Sequence, residues 1–331
     1  MERTFVISHG QDIDGVGSAS LLRMRYLIDL KDMFFINYSQ ADFESALREV
    51  GRRLGKGSIV FFTDLSLNEK MVPMVDRFVR RVRARGGSVV WLDHHHWSDR
   101  ALEVVARKCE TAIVGENSCA CATDIAKAYT RLTGEFVERF VGLVHCMDLY
   151  VDLEFASQPN PAWCRSASRI YSMGINYLGS GPFDAKQRKL RRVAGLISSG
   201  KFFDSSMREA ARSYERMNKK RARALLAGME AVSGRMAIGF SKEMDSGEGC
   251  RAMMGKASAD IGVLVKTDSR SASIRSVESD ISKLAMAFGG GGHPHAAGFE
   301  VPRKYDLSAA KGRRRLRDDL VSRSRRLGLI D

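Results

Sequence analysis

The chain has 331 residues, 44% hydrophobic and 28% charged, a composition that fits a globular protein of two domains with sizeable cores. No apolar run approaches the roughly 18 to 20 residues of a membrane span, and Met1-Glu2-Arg3-Thr4 leads straight into a strand-like run without a signal-peptide pattern, so a protein without membrane spans, in the cytoplasm, is expected. A formal net charge of +14, with a pI near 9.7, points to a polyanionic partner such as nucleic acid or nucleotide, whose phosphates lysine and arginine would neutralise.

The first half alternates strand-like and helix-like segments. Thr4 to Ser8 is a short apolar strand, and residues 15 to 30 carry helical spacing through Leu21, Leu22, Met24, Ile28 and Leu30. Met33 to Tyr38 reads as a second strand and Phe43 to Leu54 as a helix. Ser58 to Thr63 is a third strand, followed by a helix through Met71, Val75, Phe78 and Val82. Gly86-Gly87 breaks that helix, and Ser88 to Leu92 is a fourth strand. Short β-branched or aromatic runs alternating with longer amphipathic ones predict an α/β fold, a parallel sheet with helices on both faces. Helices are expected from Cys121 to Leu132 and from Glu135 to Leu153. The pattern breaks between Tyr171 and Pro182, which places the end of a first domain, 1–183, there.

Residues 184–232 are helix-rich and basic, and read as a helical linker. Met207, Ala211, Tyr214, Met217, Ala222, Leu225 and Met229 form an apolar stripe, with Arg208, Arg212, Arg216, Lys219 and Lys220 mostly off it. That basic face is either solvated surface or the lining of a substrate groove. Residues 233–331 look like a smaller C-terminal α/β domain, with strands at Met236 to Phe240, Ile261 to Lys266 and Ser271 to Val277. A short helix from Asp280 to Phe288 follows, and then a basic surface helix after Lys311. The six cysteines form no CxxC pair, so neither a zinc ribbon nor a disulfide framework is expected.

The seven histidines, His9, His94, His95, His96, His145, His293 and His295, all sit in or beside acidic or glycine-rich clusters. His9-Gly10-Gln11-Asp12-Ile13-Asp14-Gly15 follows the first strand, Asp64 the third, and Asp93-His94-His95-His96 the fourth. In an open parallel sheet, ligand sites form beyond the carboxyl ends of the strands. Asp148, from a helical stretch, is a further candidate. Each cluster alone is weak, because an Asp after a strand is often only a helix cap. Together, however, four or five converging carboxylates would repel one another and raise each other's pKa unless divalent cations neutralised them. Mixed imidazole and carboxylate donors suit manganese, and also iron, cobalt or zinc, better than magnesium. Two such ions can activate a water and clamp both oxygens of a phosphoryl displacement.

The segments HGQDIDG, FTDL, LDHHHW and HCMDLY, in that order, resemble the four motifs of the DHH phosphoesterases. SASIRSV and GGGGHPHAAGF resemble the signature of the DHH-associated C-terminal domain. The resemblance runs from residue 9 to residue 299. It implies two divalent metal ions, manganese favoured and magnesium or cobalt the alternatives. One would be held by His9, Asp12 and Asp64, the other by Asp14, Asp64, His94 and Asp148. Asp64 would bridge them. Asp93 would orient His94 or its neighbours, and His95 would face the substrate phosphate. The catalytic group is thus Asp64, His94, His95 and Asp93. Gly290, Gly291 and Gly292 would let the backbone approach a phosphate, His293 would contact that phosphate or the leaving group, and Arg275 would clamp it. His96 reads as structural. The first motif departs from many members of the family, which place three residues between its His and Asp; here two separate His9 from Asp12.

By the same resemblance the two domains flank a cleft that holds the substrate. The expected activity is hydrolysis of phosphodiester bonds in short or single-stranded oligonucleotides, as by an exonuclease or nanoRNase. The alternatives are a phosphatase on bisphosphorylated mononucleotides, a phosphodiesterase on cyclic or linear dinucleotides, and a non-catalytic nucleic-acid-binding scaffold. A homodimer is the assembly that the resemblance suggests.

Overall fold

The computed structural model describes residues 3–67, 69–115, 119–149 and 160–331. The last part of the helix expected from Glu135 to Leu153, residues 150–153, lies outside the described residues. The chain divides into two compact units, Met1–Tyr214 and Glu215–Asp331.

In the first unit, β1 (Thr4–His9), β2 (Met33–Ile36), β3 (Ile59–Thr63), β4 (Ser88–Leu92) and β5 (Thr111–Ile113) form one sheet in the order β2-β1-β3-β4-β5. Every pair is parallel, with Val6 opposite Met33, Thr4 opposite Ile59, and Ile59 opposite Ser88. The order reverses direction between β1 and its two neighbours, which opens a crevice at the carboxyl ends of β1 and β3. The helices are α1 (Ile13–Tyr26), α2 (Gln40–Arg53), α3 (Val72–Arg83), α4 (Asp99–Val104), α5 (Ala122–Thr130), α6 (Glu135–Asp148), α7 (Pro161–Leu178) and α8 (Phe183–Ser198).

Because side chains alternate along a strand, each strand feeds two cores. Val6, Phe35, Phe61, Val90 and Leu92 pack against α1 and α5 to α8, whereas Phe5, Ile7, Phe62, Val89 and Trp91 pack against α2 to α4. Covering on both faces explains why the strands read as continuous apolar runs. Trp91 stacks on Phe62 with ring centroids 4.1 Å apart, and its Nε1–H donates to the Leu65 carbonyl at 2.9 Å. A large buried ring is thereby satisfied at its one polar atom.

Three stretches differ from the sequence expectations. The glycine and serine residues between Tyr171 and Leu178 do not break the chain: α7 runs through them. Gly174 sits where a Cβ would come within 3.3 Å of the Met207 carbonyl, so that glycine allows two helices to approach closely. The short strand β5 and helix α4 carry too few apolar residues to show a period. The stretch 184–232 is not one linker: α8 lies in the first core through Leu190, Val193, Ala194 and Ile197, and α9 (Ser205–Gly228) runs across the division between the units.

α8 also closes the sheet. On edge strand β2, the Gln187 side chain accepts from the Phe35 N–H at 2.8 Å and donates Nε2–H to the Phe35 carbonyl at 2.5 Å. Arg191 donates to the Met33 carbonyl at 2.7 Å. The outward backbone groups of β2 are thus paired by side chains instead of a further strand.

The second unit has a six-stranded sheet of β6 (Glu230–Val232), β7 (Met236–Ser241), β8 (Ile261–Lys266), β9 (Ser271–Ser276), β10 (Gly291–His293) and β11 (Ala296–Glu300), in the order β10-β11-β9-β8-β7-β6. β7 and β8 pair in parallel, and the other neighbours are antiparallel. One face packs Ala237 and Leu264 against Leu225 of α9 and Cys250 and Met253 of α10 (Ser246–Ala257). The other packs Ile238, Val263 and Ile274 against Leu284 of α11 (Ser282–Ala287) and Leu316 and Leu320 of α12 (Ala310–Arg326). This unit has 23 lysines and arginines against 14 aspartates and glutamates, an excess of nine out of the chain's net +14. Among the described residues no helix is long and apolar enough to cross a membrane.

Candidate metal centre

β1 ends on His9, and α1 begins four residues later. Asp12 is its N-cap, with φ of −138°, and accepts from the Gly15 N–H at 3.2 Å. Gly15 is required here because a Cβ would fall 2.3 Å from the His9 carbonyl oxygen. The tight turn brings His9 Nδ1 to 3.0 Å from Asp12 Oδ2, despite the short two-residue spacing. Asp14, in the first turn of α1, points inward. Its carboxylate accepts from the backbone N–H groups of Ala122 at 2.8 Å and Thr123 at 2.7 Å, the N-terminus of α5. Those donors are unpaired within any helix, and here a carboxylate satisfies them.

Asp64 follows β3. Its N–H donates to the Leu92 carbonyl at 3.0 Å, which extends the β3–β4 ladder by one bond. Its φ is +55°, the left-handed conformation that few side chains other than Asn and Asp adopt. The strand therefore ends in a sharp turn that lays the Asp64 carboxylate across the crevice. There its Oδ2 lies 3.4 Å from His9 Nδ1, and its Oδ1 lies 3.7 Å from His94 Nε2 and 3.8 Å from His95 Nδ1. His94 Nε2 is also 3.7 Å from Asp14 Oδ2 and 3.4 Å from Asp148 Oδ2 of α6.

Donor atoms within 4.8 Å of one another fall into three groups among the described residues: His9, Asp12 and Asp64; Asp14, His94 and Asp148; and Asp64, His94 and His95. The structure thus brings together the six residues expected as ligands. Asp64 and His94 each belong to two groups. Asp93 does not face this cluster. Its carboxylate sits 2.7 Å from His95 Nδ1 and accepts from Trp97 Nε1 at 2.8 Å, so it holds the second histidine of the triplet in place. His96 is exposed. His145 pairs with Asp124 at 2.7 Å and is in none of the three donor groups.

The electrostatics show a site with too much negative charge for a protein alone. Burial, with Asp64 and Asp148 close by, pushes the Asp14 carboxyl well above its usual range in spite of its two backbone donors. Burial and Asp64 likewise push Asp148 up to about 6, against the pull of His94. Burial disfavours charge on His94, but Asp64, Asp14 and Asp148 outweigh it and lift its pKa to about 9. The same contest lifts His9, through Asp12 and Asp64, and His95, chiefly through Asp93. Burial would raise Asp12, yet its His9 neighbour and the Gly15 N–H hold it well below the carboxylate range. Asp64 Oδ2 is buried without a hydrogen-bond donor. An orphaned buried carboxylate oxygen amid crowded acids and imidazoles is what a divalent cation satisfies, and the donor set fits one.

Sequence reasoning missed Tyr38. Its ring lies against His9, centroids 4.6 Å apart, and meets His95 edge-on at 6.0 Å. Its hydroxyl donates to the Asp64 carbonyl at 3.2 Å. The loop that carries it is fixed by Asp42, which accepts from the Asn37 N–H at 2.9 Å and pairs with Lys186, a lysine buried in α8. No sequence signal marks Tyr38, since it stands at the end of a strand without an acidic or glycine-rich neighbour.

In the second unit, Arg275 is on β9 and pairs through its backbone with Ala296 on β11, and Gly291 to His293 form β10. The three glycines differ. A Cβ on Gly290 would lie 2.1 Å from the Gly298 carbonyl, and Gly292, at φ +136°, lies against Ala296 and Ala297. Both are glycine for packing against β11. Gly291 is exposed with open space around it, so the backbone is approachable from solvent there.

No protein-family model and no curated protein matches the sequence. Solved structures do match. The pGpG-specific phosphodiesterase PggH from Vibrio cholerae aligns over 97% of this chain and 98% of its own, at 12% identity and a TM-score of 0.55. RecJ from Thermus thermophilus, solved with Mn2+, aligns over 97% of this chain at 13% identity and a TM-score of 0.53, and this chain spans 52% of RecJ. CDC45 from Entamoeba histolytica aligns over 97% of this chain and 95% of its own, at 9% identity and a TM-score of 0.50. At such identities the likeness is one of fold: this chain has the α/β fold that PggH, RecJ and CDC45 share.

Proposed function

We propose that this chain is a metal-dependent phosphoesterase that hydrolyses phosphodiester bonds in short or single-stranded oligonucleotides. The observation that carries this reading is the sharing of Asp64 and His94 between overlapping donor groups, which suits two cations side by side. His9, Asp12 and Asp64 would hold one ion, and Asp14, Asp64, His94 and Asp148 the other. Bound there, divalent ions, with manganese the favoured species, would supply Lewis acidity toward a phosphoryl group and acidify a water.

The chain's own residues do the rest. The α5 N-terminus fixes the Asp14 carboxylate in one orientation. Asp93 holds His95 by Nδ1, so Nε2 is the ring nitrogen left to reach a phosphate oxygen. In the second unit, Arg275 and the open backbone at Gly291 would bind a phosphate, and the positive excess of that unit suits a polyanion; the side chain of His293, expected to join them, lies outside what the structure describes.

The test is hydrolysis of end-labelled RNA and DNA oligomers of two to twenty nucleotides with and without Mn2+, with Asp64→Ala as the control. Metal-dependent shortening by the parent and none by Asp64→Ala is the expected result. Equal hydrolysis by both proteins would overturn the metal-centre reading. A second reading, a phosphodiesterase confined to linear dinucleotides, is favoured by the end-to-end match in length with PggH. Activity on dinucleotides but not on longer strands would establish it.

A further inference from the structure

Beside the metal centre, a cavity of about 430 Å³ opens within the first unit. One wall is Tyr38, 41% exposed, whose ring also contacts His9 and His95. Its floor is Leu67 and Met71, both buried, and its rim is Ser66, Glu69 and His96. Tyr38 links the cavity to the donor groups, since its ring lines the one and lies against His9 and His95 of the other. The size suits a ligand of modest volume.

The charge of this lining is telling. The chain has 53 lysines and arginines, yet among the described residues neither type lines the cavity. A pocket beside a phosphoester centre but without a cation is unsuited to a phosphate and suited to the uncharged part of the substrate. An aromatic wall, an aliphatic and thioether floor and a polar rim accept a flat heteroaromatic ring by stacking. The Glu69 carboxylate at the rim can only accept hydrogen bonds when ionised. Two adjacent N–H donors on one edge, as guanine presents at N1 and its 2-amino group, match its two oxygens.

Resting on the phosphodiesterase reading above, we infer that this cavity is a nucleobase pocket that seats the base next to the scissile phosphate, and that Glu69 makes it select guanine. Tyr38 is the stacking platform, and Leu67 and Met71 exclude water from the face of the ring. His96, which has no place among the metal donors, closes the rim.

Calorimetric titration with GMP and with AMP tests the pocket without requiring turnover. Parallel assays use pGpG, pApA and a dinucleotide with abasic sites in place of both bases. The parent is expected to prefer guanine by roughly tenfold in both binding and kcat/KM, because a site built to hydrogen-bond a group rejects ligands that lack it. Glu69→Gln, at an exposed position, is expected to bring that preference to within about twofold. Ser66→Phe, which fills the cavity, is expected to raise KM for both base-bearing substrates by about tenfold while leaving the abasic one unchanged. Unaltered base preference in Glu69→Gln, or an equal effect of Ser66→Phe on abasic and base-bearing substrates, would overturn the inference. Failure of the parent to hydrolyse any of the three would instead overturn the phosphodiesterase reading, and the GMP and AMP titrations would still decide the pocket.

Discussion

Asp93 and His95, two residues apart, form a 2.7 Å contact that fixes the middle histidine of the triplet by its Nδ1 while its ring stays 4.3 Å from that of His94. The other Asp93 oxygen is taken by Trp97, so the carboxylate cannot swing without losing one partner. Asp93→Asn keeps the volume but replaces one acceptor oxygen with a donor. We expect kcat to fall about 10- to 100-fold, the usual effect of removing a group that orients an active-site imidazole. The Trp97 emission spectrum should shift with it. A full-activity Asp93→Asn protein with an unchanged spectrum would show that the contact does not position His95.

Metal-free protein should lose stability as pH rises. A histidine whose pKa is raised by folding contributes stability that is complete below its unfolded value near 6.5 and is lost as pH climbs through the folded value, about 9 for His94. Asp148, raised to about 6, acts in the same direction over an earlier window, and Asp14, also raised, acts in that direction too. Between the ordinary carboxylate value near 4 and the raised one, the folded state retains protons that the unfolded chain releases. Within the centre Asp12, lowered by His9, opposes them, and only below about pH 4. Melting curves in chelator should therefore show Tm declining from about pH 6.5 to about pH 9. Saturating Mn2+ should raise Tm most at the upper end, where cations no longer compete with protons. A metal-induced shift independent of pH would contradict this linkage.

The buried Lys186 holds Asp42, and Asp42 holds the loop of Tyr38. Lys186→Met strands Asp42 among partly buried groups, and breaking such a pair costs about 3 to 5 kcal/mol. The double variant Lys186→Met/Asp42→Asn should recover part of that loss in urea unfolding. If the single variant is as stable as the parent, the ion pair is not what anchors this loop.

Gln187→Leu should be harmful for a different reason. It leaves the Phe35 N–H and carbonyl without partners, at about 1 to 3 kcal/mol per group, and bares the edge of the sheet. Lower stability together with concentration-dependent light scattering is expected. Gln187→Glu retains the acceptor but not the donor and should fall between the two.

Much of this centre was legible in the sequence because the chemistry is written at strand ends. His9, Asp64 and the Asp93 triplet each follow an apolar run, and a parallel sheet delivers such residues to one rim. The positions of β5, β6, β10 and β11 were not legible: they are short, or rich in glycine and alanine, and their pairing is set by neighbours far along the chain. Gly174 reads as a breaker, although its lack of a side chain serves helix contact. Tyr38 could not be singled out, because its importance lies wholly in which rings it touches. Nor could the bond from α5 to Asp14, which joins residues more than a hundred positions apart.

The left-handed turn at Asp64 narrows what can stand there. Asparagine tolerates that backbone nearly as well as aspartate, whereas alanine is disfavoured by roughly 1 kcal/mol or more. A single nucleotide change turns an aspartate codon into an asparagine codon. One mutational step thus exchanges the carboxylate shared by two donor groups for an amide while the turn is kept. A lineage with this fold could cross that step without passing through a collapsed protein, and keep the rest of its surface.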